Sequence, residues 1–311
     1  MAVVEFKEEM ENDNSDGRTK RQQIALITGS SSGIGFETSL LLARSGFHTY
    51  ATMRNLGKSK EILDITKKEN LPLRVLPLDV TDEESTRKAI DKVMHEQNRI
   101  DILVNNAGYS LVGALEQLSM DEIKEEFETN FFGIIKLIRK ALPIMRKQRS
   151  GRIINISSLA GRIGLPIASA YVSSKFALEG LSESLKYEVQ DFGIYVILIE
   201  PGVIKTNFIK NLKIGKQVIT SENGNVNANT SNADLPYAEI TKKRISAFKP
   251  RFEKGSSPKE VADTILEAVT SGKPKFRYIV GQDASKLMDI RKNTSDEEFG
   301  KIVMNSVLEA Q

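Results

Sequence analysis

The chain has 311 residues, 40% of them hydrophobic and 27% charged, a balance that excludes global disorder and permits one large α/β domain or two small ones. Its 44 basic and 41 acidic residues are interspersed, so the net charge of +3 forms no stripe that could track nucleic acid. With no cysteine, disulfides, thiolate nucleophiles and sulfur-ligated metal clusters are excluded.

Residues 1–23, rich in Glu, Asn, Asp, Lys and Arg, read as a flexible polar arm without the apolar stretch of a signal peptide. No run in the chain approaches the ~18 apolar residues of an integral membrane segment, so a cytoplasmic location is expected. Ile24 to Thr28 is a short β-branched apolar run that ends in a glycine-rich turn, the signature of a buried strand. Similar runs recur at Phe47 to Thr52, Leu73 to Leu78, Ile102 to Asn105, Arg152 to Ser157, Tyr195 to Ile199 and Arg277 to Val280, which predicts seven strands. Between them, helical apolar spacing marks Ile34 to Arg44, Lys58 to Lys68, Glu83 to Gln97, Met120 to Lys147 and Ala170 to Gln190. The alternation predicts a doubly wound parallel sheet with helices on both faces, and ligands beyond the carboxyl ends of the strands.

After Pro201-Gly202 the pattern breaks. Residues 203–255 read as an irregular substrate lid, within which Ser221 to Asp234, nearly all small or polar, forms a flexible insert. The basic cluster Lys242, Lys243, Arg244, Lys249, Arg251 and Lys254 reads as a solvated face. Ser257-Pro258 opens a further helix, Lys259 to Val269, before the last strand and one or two terminal helices. Residues 24–311 are expected to form a single domain.

Two places in this frame carry chemistry. Thr28-Gly29-Ser30-Ser31-Ser32-Gly33-Ile34-Gly35 joins the first strand to the first helix, where Gly29, Gly33 and Gly35 let the backbone approach a pyrophosphate at a helix N-terminus. Tyr171 and Lys175, four residues apart at the start of a helix, place a phenol and an ammonium on one face, a pairing that taken alone reads as a core tyrosine and a surface lysine. The two histidines, His48 and His95, fall in a strand-like and a helix-like run, which argues against a Ser-His-Asp triad or a multi-histidine metal site.

The Gly-x-x-x-Gly-x-Gly spacing resembles the short-chain dehydrogenases/reductases, from about Ile24 to Thr206 and more loosely to Gly281. Asp79-Val80 is similar to the family's adenine-contacting pair, and Asn105-Asn106-Ala107-Gly108 to its Asn-Asn-Ala-Gly signature. The resemblance implies a Rossmann-type α/β fold and a nicotinamide cofactor. It also implies a catalytic set of Asn130, Ser158, Tyr171 and Lys175, with Ser158 preferred over Ser157 by the family's spacing to Tyr171. Pro201, Gly202, Val203 and Thr206 resemble the segment that meets the nicotinamide carboxamide.

In the run Tyr50-Ala51-Thr52-Met53-Arg54-Asn55, no acid stands where NAD sites usually place one for the ribose 2′-hydroxyl. Thr52 takes that position, Arg54 follows, and Ser31 supplies a further donor, so NADP(H) is expected.

Lys175 is expected to lower the proton affinity of Tyr171 and to donate to the nicotinamide ribose. Ser158 would hold the substrate oxygen, and Asn130 would seat a water that passes protons from Lys175 to solvent. A carbonyl or secondary alcohol is the implied small-molecule substrate. A lipophilic one is favoured by the lid residues Phe208, Leu212, Ile214, Tyr237, Ile240, Ile245 and Phe248, with Leu111, Val112 and Leu165 expected near the pocket. Relatives pair through their long helices, so a homodimer or homotetramer is implied. Two rival readings remain: a non-catalytic NADP-binding redox sensor, and a sugar-nucleotide epimerase or dehydratase on the same fold.

Overall fold

The computed structural model describes residues 21–206, 212–216 and 237–308. Most of the expected N-terminal arm, Phe208 and the Ser221 to Asp234 insert lie outside the described residues, as do the side chains of Ile245 and Phe248.

The main sheet has seven parallel strands: β1 (Ile24–Ile27), β2 (His48–Met53), β3 (Leu73–Pro77), β4 (Ile102–Asn105), β6 (Gly151–Ile156), β7 (Ile194–Pro201) and β9 (Arg277–Val280). Their order, β3-β2-β1-β4-β6-β7-β9, reverses between β1 and β4, the crevice where doubly wound sheets bind ligands. The first crossovers run through α1 (Gly33–Arg44), α2 (Lys60–Glu69) and α3 (Glu83–Gln97). Next come α4 (Met120–Phe127), α5 (Gly133–Gln148), α6 (Ser169–Val189), α7 (Ala238–Glu253) and α8 (Pro258–Thr270), and the described chain ends in α9 (Gln282–Asn293) and α10 (Asp296–Leu308).

Both faces of the sheet are buried, and strand alternation divides them. Ile24 and Leu26 join one core with Ile134, Leu137 and Leu178 from α5 and α6, while Ala25 and Ile27 join another with Leu42, Val261 and Ile265 from α1 and α8. Short polar residues fix where helices begin. Asp82 accepts from the Glu84 and Ser85 amides, and Ser119/Glu122 and Ser257/Glu260 form capping boxes at α4 and α8.

Three features depart from the expected pattern. The single helix expected from Met120 to Lys147 is α4 and α5 joined by a π turn, Glu128–Phe132, that contains Asn130. The expected irregular lid contains α7, whose charged residues and Pro250 near its end blur the apolar spacing. A second, two-stranded sheet pairs β5 (Leu111–Val112) with β8 (Lys213–Ile214), each too short to leave a periodic signal. Among the described residues no helix is long and apolar enough to cross a membrane.

Candidate active site

A cleft of about 770 Å³ opens at the carboxyl ends of β1, β2, β4, β6 and β7. At its base the β1–α1 loop turns through Gly29 (φ +70°) and Gly33 (φ +62°), backbone that side chains other than glycine rarely adopt. A Cβ on Gly35 would lie 2.5 Å from the Gly29 carbonyl oxygen, so Gly35 is a packing residue behind the cleft wall. Ser31, Ser32, Gly33 and Ile34 line the cleft, and Ser32 caps α1 without a side-chain bond to the first helical amides, which leaves those donors for an anion.

The neighbouring β4 loop holds this turn in place. The Thr28 hydroxyl accepts from the Asn106 and Ala107 amides at 2.9 and 3.0 Å, and Asn106 Nδ2 donates to the Thr28 and Gly29 carbonyls at 2.9 and 3.1 Å. Beneath it, Asn105 Nδ2 donates to Asn155 Oδ1, and Asn155 Nδ2 to Ser182 Oγ, which ties β4, β6 and α6 together. Sequence reasoning quoted Thr28 as the start of the glycine motif without giving it a role and passed over Asn155; a polar residue near a strand end reads as an ordinary buried position without its partner in view.

At the other end of the cleft, Asp79 and Val80 follow β3, and Met53, Arg54, Asn55 and Lys58 follow β2. Arg54 and Lys58 are both exposed. Thr52 differs from expectation: it is fully buried, and its hydroxyl donates to the Ile27 carbonyl at 2.9 Å, so it faces β1 and not the cleft. The structure adds Lys58 in its place.

The catalytic candidates converge on the middle of the cleft. Tyr171 and Lys175 lie on the first turns of α6, with Lys175 Nζ 5.8 Å from the centre of the Tyr171 ring and donating to the Ile156 carbonyl at 2.9 Å. The Ser158 hydroxyl is hydrogen-bonded to Tyr171. Ser157 also reaches the cleft wall, but its Oγ is directed where a Cβ on Gly161 would come within 2.7 Å. Just before α6, Ile167 holds φ +57°, costly for a β-branched residue, and its carbonyl accepts from the Gly113 amide at 3.1 Å.

Burial pushes Tyr171 up to about 12; the Ser158 hydrogen bond works against this and the Glu126 charge adds to it. Burial pushes Lys175 down to about 8, opposed by Glu126 and Glu179. Glu126, fully buried and itself pushed up to about 7 by burial, was not singled out in the sequence because a glutamate on a charged helix reads as solvated.

Asn130 sits behind the cleft wall and brackets the main chain of Tyr109: its Oδ1 accepts from the Tyr109 amide at 3.1 Å, and its Nδ2 donates to the Tyr109 carbonyl at 2.8 Å and to Ser174 Oγ at 3.2 Å. A Cβ on Gly108 would meet Asn130 Oδ1 at 3.0 Å. The side chain is thus committed to the β4 loop, which carries Gly108 past Lys175.

Across the cleft, Pro201, Gly202 and Thr206 form part of the wall, and Thr206 packs against Gly33. Val203 is held from behind: its amide donates to Asp283 Oδ2 at 2.8 Å, and its carbonyl accepts from the Ser256 amide at 2.9 Å and keeps a second lone pair. Of the expected apolar contacts, Leu212 reaches the cleft. Leu111 packs on Leu118 and Ala170, Leu165 joins the core formed with α9 and α10, and the Tyr237 hydroxyl donates to Glu116 Oε2 at 2.8 Å.

Residues 23–217 match the family model for short chain dehydrogenases. The chain is 37% identical over 263 residues to a 3-ketodihydrosphingosine reductase of Bacteroides thetaiotaomicron, covering 83% of this chain and 88% of that protein. It is 38% identical over 259 residues to human retinol dehydrogenase 8, covering 81% and 79%. Among solved structures it is similar to a short-chain dehydrogenase from Streptomyces avermitilis, with a TM-score of 0.74, 30% identity and 90% and 96% of the two chains covered. It is also similar to ElxO with NADP bound, with a TM-score of 0.65, 28% identity and coverage of 84% and 96%. A cleft at the sheet's switch point and a family match over residues 23–217, more than half the chain, together place this chain in the short-chain dehydrogenase family.

Proposed function

We propose that this oxidoreductase uses NADP(H) to interconvert a lipophilic carbonyl compound and its secondary alcohol, with Tyr171 as the acid–base group. The observation that carries the reading is the convergence of Ser158, Tyr171 and Lys175 beside the glycine loop in one cleft. A nicotinamide dinucleotide fits the residues present. The close approach of Gly35 to Gly29 and the uncapped first turn of α1 make a pyrophosphate seat, and Arg54 and Lys58 put two cations where a 2′-phosphate would lie. The cofactor supplies or accepts the hydride.

The chain's own residues manage the oxygen and its proton. In reduction the Tyr171 hydroxyl donates its proton to the substrate oxygen as the carbonyl carbon gains hydride; in oxidation the phenolate takes that proton back. Ser158 donates to the same oxygen and stabilises the charge that develops there. Lys175, suspended from the Ile156 carbonyl, places a cation beside the phenolate and a donor for the ribose. The Asn130 side chain is engaged by Tyr109, so its part in proton transfer is to hold the β4 loop beside Lys175.

Leu212 and the Tyr109 ring supply apolar surface over the reacting end, and the names of two relatives refer to a sphingoid ketone and a retinol. Self-association through the Met120 to Lys147 stretch and α6 is supported by Phe132 on the π turn and Phe176 on α6, each 46% exposed. The test is a panel of lipophilic ketones and aldehydes assayed by loss of NADPH absorbance, with Tyr171→Phe alongside. Turnover by the wild type and its loss in Tyr171→Phe, with cofactor binding kept, are expected; full turnover by Tyr171→Phe overturns the reading.

A further inference from the structure

The turn that carries Ser158 is tied to the strands and helix beside it by a network of ion pairs. Ser158 opens the short turn Leu159–Gly161: its Oγ accepts from the Ala160 amide at 3.1 Å, and its carbonyl accepts from the Gly161 amide at 2.8 Å. Where this turn lies therefore sets where the Ser158 hydroxyl points. Arg162 follows at once, and its Nη1 donates to both carboxylate oxygens of Glu200, at 3.0 and 3.3 Å. Glu200 is fully buried near the end of β7, immediately before the cleft-wall residues Pro201 and Gly202. Its Oε1 also lies 3.1 Å from Arg277 Nε, and Arg277 in turn meets Glu179 Oε2 at 3.1 Å and Glu183 Oε2 at 2.7 Å on α6.

The contacts on the turn constrain it in different ways. Leu159 and Ile163 pack into the core formed with α9 and α10. Gly161 lies so close to α6 that a Cβ would come 3.0 Å from Glu179 Cγ and 3.2 Å from the Lys175 carbonyl oxygen. Apolar packing is non-directional. The hydrogen bonds from Arg162 to Glu200 are charge-assisted and directional, and they join the Ser158 turn to the strand that leads into the cleft wall. Arg277 keeps Glu200 paired when Arg162 is replaced, so this tether can be cut without leaving an unpaired buried charge.

We propose that Arg162 is a positioning residue, and that its ion pair with Glu200 holds the Ser158 hydroxyl at the place where it meets the substrate oxygen. The Ser158 hydroxyl is bonded to Tyr171, so a shift of the turn moves the oxygen-binding donor relative to the acid–base group. A displacement of about 1 Å is enough to slow a reaction by about two orders of magnitude. Arg162 does not itself line the cleft, and its effect on the reaction passes through Ser158. The inference rests on the reading that Ser158 donates to the substrate oxygen.

The test is a double-mutant cycle on the hydride-transfer rate, read as single-turnover loss of NADPH absorbance with the ketone that the wild type reduces fastest. Wild type, Arg162→Met, Ser158→Ala and the double variant are compared, each saturated with NADPH. Arg162→Met should slow the step about tenfold or more while NADPH affinity stays within about twofold of wild type, and Arg162→Lys should recover part of the loss. In the Ser158→Ala background the same substitution should change the rate by less than about twofold, because the group it positions is gone. A wild-type rate in Arg162→Met, or an equal loss in both backgrounds, overturns the inference; equal losses are what a purely structural role gives. Should Arg162→Met not fold, Glu200→Gln, which keeps the shape and removes the charge, enters the same cycle with the same outcomes. Failure of the underlying reading is distinguishable, because it requires a Ser158→Ala variant that reduces the ketone at the wild-type rate.

Discussion

The main-chain amide of Val203 donates to Asp283 Oδ2 at 2.8 Å, and a Cβ on the adjacent Gly202 would sit 2.3 Å from the other carboxylate oxygen. The Pro-Gly-Val segment of the cleft wall is therefore held from behind by the first turn of α9, eighty residues further along the chain. Gly202 has no side chain because the carboxylate fills that space. Removing the carboxylate leaves the half-buried Val203 amide without its partner, a loss of about 1 kcal/mol. Asp283→Ala is expected to weaken NADPH binding about tenfold and lower the melting temperature, with Asp283→Asn intermediate. Fluorescence titration and thermal unfolding check both, and an unchanged affinity would show that the segment keeps its shape without this support.

On the proposed NADP(H) reading, cofactor choice turns on Arg54 and Lys58, two exposed cations that follow β2. Arg54→Ala and Lys58→Ala should each weaken NADPH binding by about one to two orders of magnitude, the range for losing one charge-assisted contact to a phosphate. NADH affinity should hardly change, since its ribose carries no phosphate for them to meet. Parallel loss of both affinities would assign the two residues to general loop stability.

Phe132 and Phe176 leave large apolar surfaces in water on neighbouring elements, the π turn and α6. If a second copy covers them, Phe176→Asp should shift the protein toward monomer in sedimentation equilibrium while the far-ultraviolet circular dichroism stays the same. A wild-type protein already monomeric at micromolar concentration would leave these residues as plain surface.

The strand and helix succession was legible because the inner strands carry apolar, β-branched runs that are buried on both faces, and because glycine and asparagine mark the loops. The glycine loop was legible for a related reason, because its chemistry needs glycines at spacings set by one turn; the Tyr171–Lys175 pair, common by chance at that spacing, became legible only with the family's set. Ser158 and Asn130 needed the family's spacing, since serine and asparagine are common in loops and helices alike.

Tertiary structure alone decided the contacts made across the chain. Thr52 turns from the cleft toward β1, Val203 is claimed by Asp283 and Ser256, and Leu111 packs inward on Ala170. Glu126 becomes a buried charge only because α4 is pressed between β5 and α6. Local spacing determines which residues share a strand or a helix face. Which distant group fills a hydrogen bond, and how far a carboxylate is stripped of water, depend on the packing of elements far apart in sequence.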